Sequence, residues 1–112
     1  MAEIHQNASS QPYAMLGAGR LVSSLWKSGD ERAGWTYRFN VYRMSQRSGH
    51  VSQLLRPTDV QDLVKLCQVL AVTLSEDGCI PIEQRRLLAK LAAELDTITS
   101  KKELSYGTKT RP

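Results

Sequence analysis

Between Arg20 and Thr58 the chain carries six arginines, one lysine and five aromatic side chains, against two acids. The basic residues are Arg20, Lys27, Arg32, Arg38, Arg43, Arg47 and Arg56; the rings are Trp26, Trp35, Tyr37, Phe39 and Tyr42. Guanidinium groups donate in a planar fork that matches phosphate, and rings stack on bases, so this mixture is what single-stranded nucleic-acid binders use. Arg38, Tyr42, Arg43, Arg47 and Arg56 are the candidate contacts: the arginines neutralise phosphate and Tyr42 stacks. The balance of this region is +5, whereas residues 59–98 hold four basic and seven acidic residues, a balance of −3. The net charge of +4 therefore conceals a basic first half and a mildly acidic second half.

Other chemistry is poorly supported. Gly17-Ala18-Gly19 lacks the Lys-Ser/Thr of a phosphate loop and the third glycine of a dinucleotide fingerprint, and reads as a flexible entry to the first strand. Cys67 and Cys79 have no His or carboxylate partners at ligand spacing, and His5 and His50 stand alone, so no metal site and no cofactor are expected. Cys67 falls in an apolar helical stripe and is expected to be a small buried hydrophobe. Asp59 and Asp62 sit where acids favour a helix dipole. No set of residues meets the geometric roles of an active site, so the protein is expected not to be an enzyme. No basic start precedes a long apolar run and no apolar run could span a bilayer, which points to a cytoplasmic protein with reduced thiols and no membrane partner.

These residues must be positioned by strands. Residues 20–27 (RLVSSLWK) and 34–44 (GWTYRFNVYRM) read as strands around the polar turn 28–33, and 50–55 (HVSQLL) as a short third. In the second, Trp35, Tyr37, Phe39 and Val41 share one face, expected to be covered. Arg38, Asn40 and Tyr42 share the wet face. Residues 13–18 (YAMLGA) are a candidate fourth strand. Thr58 with Gln61 forms a capping-box pattern. Val60, Leu63, Val64, Cys67, Leu70, Ala71 and Leu74 then recur at helical spacing, with Gly78 as a stop. Pro81 opens a second helix with Leu87, Leu88, Leu91, Leu95 and Ile98 as its stripe. The expected fold is α+β: an antiparallel sheet of three strands, or four, followed by two antiparallel helices packed on one face. The expected organisation is a flexible segment 1–13, one domain over 14–99 and a flexible basic tail over 100–112. Leu66, Val69 and Val72 lie off the first helix's main stripe, so half of that helix's circumference is apolar, wider than one sheet face requires, and a homodimer is expected. The alternative function is a protein-interaction module or small homodimeric adaptor using that helical pair.

Two resemblances add to this reading. Gly34-Trp35 through Arg43, followed by Leu55-Arg56-Pro57-x-x-Val60-x-x-Leu63, resembles the single-stranded-DNA-binding domain of positive-cofactor-4-type transcriptional coactivators over about a third of the chain. That resemblance implies a curved antiparallel sheet, a dimerising helix, and DNA contacts at Arg38, Tyr42 and Arg43. It departs from the family in its second long helix. Separately, the D-G-x-I-x-x-E pattern from Asp77 to Glu83 is similar to the hairpin turn of TerB-like helical domains. Read as a calcium loop it fails, because Thr73 and Gln84 fall where anionic ligands are needed. The simpler reading is a helix stop and restart, with Ile80 anchored in the core.

Overall fold

The computed structural model describes residues 11–45 and 47–109, with side chains described through Ser100. The chain divides into two compact units, Met1–Asp62 and Leu63–Pro112.

The first unit is an antiparallel sheet with five strand segments among the described residues. β1 (Ala14–Ala18) pairs with β2 (Leu21–Asp30), joined by Gly19-Arg20. The fourth strand is therefore present. Gly19 has φ 60 and occupies the first central position of a two-residue hairpin, the place that type II′ turns reserve for glycine. It is thus a defined turn rather than a flexible entry. Its fit is tight: a Cβ there would meet the carboxylate of Asp62. β2 runs on to pair with β3 (Gly34–Phe39) around the three-residue loop 31–33, pinned where the Ala33 N–H donates to Asp30 Oδ1 at 2.6 Å.

The segment 34–44 forms one line of pairing against β2, broken in name only. β3 aligns Leu25 with Phe39, and β4 (Tyr42–Met44) aligns Val22 with Tyr42 in the same register. No residue is inserted at the break. There the Asn40 N–H still donates to the Ser24 carbonyl at 3.2 Å, and the Asn40 side-chain Oδ1 accepts the Ser24 N–H at 2.9 Å. A side-chain amide thus stands in for the backbone carbonyl, and the two-residue alternation carries through. β5 (Val51–Ser52) pairs with β4 and is shorter than the 50–55 strand expected.

Leu21, Ser23 and Leu25 of β2 are fully buried. The ring face of 34–44 is less covered than the pattern predicts: Trp35 and Tyr37 are half-buried and Phe39 is 53% exposed. Alternation shows which residues share a face but not how far cover extends along it.

A 3-10 turn (Pro57–Asp59) leads into α1 (Val60–Ser75). The cap differs from the Thr58–Gln61 box. It is Asp59 that reaches back, its Oδ2 accepting the Arg56 N–H at 2.8 Å. Most of α1 and all of α2 (Ile82–Lys109) make up the second unit, where Gln68 Nε2 donates to Asp96 Oδ1 at 3.2 Å across the helix pair. The inward stripe of α1 is rotated from expectation. Leu66, Leu70 and Ala71 are buried, whereas Cys67 and Val60 are exposed. With apolar residues around half the circumference, periodicity alone does not select the inner side. The turn between the helices behaves as a stop and restart, with Ile80 buried and Glu83 in the first turn of α2. Gly78 does not adopt a left-handed conformation, however. Asp77 makes the turn, its Oδ1 accepting the Cys79 N–H at 2.9 Å and its carbonyl the Ile80 N–H at 3.1 Å.

The fold is thus α+β, an antiparallel sheet followed by two helices. α2 continues to Lys109, so residues 100–109 are helical where an aperiodic tail was expected. Residues 1–10 of the expected flexible segment and 110–112 of the tail lie outside the described residues. Among the described residues no helix is long and apolar enough to cross a membrane.

Candidate anion-binding site

The antiparallel register brings three arginines from distant parts of the sequence to one end of the sheet. Arg20 ends the β1–β2 turn, and its carbonyl accepts the Met44 N–H at 3.0 Å. Arg43 lies on β4, with Leu21 of β2 on one side and Ser52 of β5 on the other. Arg47 lies on the loop between β4 and β5, which is closed where the Ser45 N–H donates to the His50 carbonyl at 2.9 Å and the Gly49 N–H to the Ser45 carbonyl at 2.7 Å. Gly49, at φ 72, supplies the left-handed residue this reversal needs. Among the described residues, Arg20, Arg43, Ser45 and Arg47 line a cavity of about 330 Å³.

Arg43 is the fixed member. Its side chain is 14% exposed, and its Nε lies 3.3 Å from Oδ2 of Asp59, itself 5% exposed. The approach is too oblique for an aligned hydrogen bond, so the contact is an ion pair. Asp59 accepts the Arg56 N–H with the same oxygen and thereby holds Arg43 from a buried position on the turn preceding α1. Arg20 and Arg47 are exposed and complete the rim. A lining of three guanidiniums and a hydroxyl offers many donors and suits an oxyanion, phosphate above all.

The sequence-predicted residues divide. Arg43 and Arg47 meet in this cavity. Arg38 does not: it lies opposite Trp26 on β3, exposed, five residues from Arg43 and on the other sheet face. At about 3.3 Å per residue that is roughly 17 Å along the strand. Tyr42 shares the Arg38 face, but it is half-buried, with its hydroxyl 3.4 Å from Ser24 Oγ. Arg56 is exposed and does not line the cavity, although its backbone is tied to Asp59. Arg20 and Ser45 are the members that strand patterning misses. The signal for Arg20 was the Gly19-Arg20 turn, legible only once 13–18 is accepted as a strand.

The rings at the far end of the sheet are engaged internally. Lys27 Nζ lies 4.7 Å from the Trp35 ring centroid, 4.9 Å from that of Tyr13 and 5.8 Å from that of Tyr37, a three-ring cation–π box. Among the described residues no group of three or more His, Cys, Asp or Glu side chains could hold a metal ion. In comparisons with known proteins, no family model, no curated protein and no solved structure matches the chain.

Proposed function

We propose that the protein is a non-enzymatic nucleic-acid-binding accessory domain, acting in the cytoplasm, that anchors a single strand of DNA or RNA by phosphate in the Arg20–Arg43–Arg47 cavity. The observation that carries this reading is the convergence of three arginines and a serine on one cavity, with the central arginine held by a buried carboxylate. An exposed thiol at Cys67 fits a reducing compartment. Arg38, on the opposite face, is left to track the strand beyond the anchor or to serve solubility alone. The test is fluorescence anisotropy with a labelled single-stranded oligonucleotide, comparing the parent with Arg47→Ala and with Arg38→Ala/Tyr42→Ala. Micromolar binding lost in Arg47→Ala supports the cavity. Binding lost only in the double variant moves the interface to the other face. No binding by the parent sinks the reading.

A second reading, a self-associating interaction module, draws on α2. Leu87, Leu91 and Ile98 recur along one side of that helix and are all exposed, Leu87 by 68%. Sedimentation equilibrium of the parent against Leu87→Glu/Leu91→Glu decides it. A dimer that becomes a monomer favours association through α2, and a monomeric parent removes it.

A further inference from the structure

Resting on the nucleic-acid reading, we infer that the cavity receives the terminal phosphate of the strand, a phosphomonoester dianion, in preference to the singly charged phosphodiesters between nucleotides. The grounds are charge and convergent donors. Among the described residues the lining carries three positive charges, from Arg20, Arg43 and Arg47. Asp59, ion-paired to Arg43, removes one and leaves a net charge of +2. Asp62, whose carboxylate lies against Gly19, and Arg56, whose N–H Asp59 holds, are not in the lining and carry opposite charges. A terminal phosphate carries about −1.5 to −2 at neutral pH and presents three strong acceptor oxygens. An internal phosphodiester carries −1 and has a chain leaving it on both sides.

The geometry favours a chain end as well. The lining comes from three separate segments: the β1–β2 turn, β4 and the β4–β5 loop. Such a site brings donors to one group from several segments rather than from a single row along one strand. Arg43 is pinned from behind by Asp59, so its orientation is set before any ligand arrives. That lowers the ordering cost of binding at this one point. Asp59 is in this account a positioning residue, and Arg20 and Arg47 are the two exposed groups that close on the phosphate. Ser45 Oγ accepts the Ser48 N–H at 3.4 Å, which leaves its own hydroxyl hydrogen to donate.

The experiment compares one oligonucleotide sequence in four forms: 5′-phosphorylated, 3′-phosphorylated, hydroxyl at both ends, and capped with a 5′-methylphosphate of single charge. Inorganic phosphate and ribose 5-phosphate are run as competitors. The expected result is that a phosphorylated end binds about tenfold or more tightly than the hydroxyl form, the size of a lost charge-assisted hydrogen bond. The methylphosphate form then falls between them, and the preference disappears in Arg20→Ala and Arg47→Ala. Both substitutions are at exposed positions, and circular dichroism checks that each variant is folded. Equal binding of all four forms overturns the inference and leaves the nucleic-acid reading standing. If ribose 5-phosphate binds as tightly as the phosphorylated strand, the dianion site stands and the nucleic-acid reading falls. If no form binds and neither competitor binds, both fail.

Discussion

Ser23 and Asp59 show how differently two buried polar residues behave. Ser23 is fully buried between Leu21 and Leu25, and its Oγ finds no hydrogen-bond partner among the described residues. An unmet buried hydroxyl costs stability, so Ser23→Ala is expected to leave stability unchanged or raise it by about 1 kcal/mol, measured by urea unfolding. Asp59 is also buried, but it serves both the Arg43 guanidinium and the Arg56 N–H. Asp59→Ala strands a mostly buried cation and an N–H, and is expected to destabilise by about 3 kcal/mol. Asp59→Asn keeps an acceptor for Arg56 and loses the ion pair, so it should fall between the two in the same unfolding assay. None of this was legible from the residues alone. Asp59 looks like an ordinary helix-start acid, and its partner is sixteen positions away.

At the scale of elements, the hairpins hold the site's geometry. Gly29 has φ 106, and a Cβ there would run into the Gly34 carbonyl across the β2–β3 hairpin. Gly29→Ala is therefore expected to cost about 2 kcal/mol or more, through strain that no side-chain movement relieves, read as a lowered unfolding midpoint. Asn40 is a second element-level device. Asn40→Ala leaves the buried Ser24 N–H without its acceptor and should cost about 1–2 kcal/mol, with amide hydrogen exchange at Ser24 accelerated more than at Leu25. The strand over 34–44 was readable because its alternation is unbroken. The role of Asn40 was not, since its side chain occupies a place in the ladder that sequence pattern assigns to backbone. The helices were readable as helices, but not by inward face. An apolar surface wider than one stripe allowed Leu66 to be buried and Cys67 exposed.

For the whole molecule, the number of phosphates engaged sets the salt dependence of binding. A contact spread over all four sequence-predicted arginines, Arg38, Arg43, Arg47 and Arg56, with one phosphate each, gives a slope of about −2.8 in log affinity against log salt for a single strand. Anchoring one terminal phosphate, with at most a second beside it, gives about −0.7 to −1.4. From 50 to 200 mM salt the first loses roughly fiftyfold in affinity and the second about threefold to sevenfold. The shallow dependence is the expected outcome in a salt titration by anisotropy, and the steep one would mean that the strand contacts arginines well beyond the cavity.

By itself the sequence determined the two long strands, the existence of both helices, the α+β class, the basic character of the sheet region, and the stop and restart between the helices; the helical course of residues 100–109 was not read from it. These rest on local periodicity, turn chemistry and composition, which act over a few residues. Tertiary structure alone decided which arginines belong together. Arg20, Arg43 and Arg47 meet because β1–β2 closes through Gly19 and because β2 and β4 keep one register across Asn40. Arg38, equally basic and on the same line of chain, points to the other face by the two-residue period of a strand. A site assembled by pairing between strands is a non-local property, and no spacing within the chain encodes it without the register.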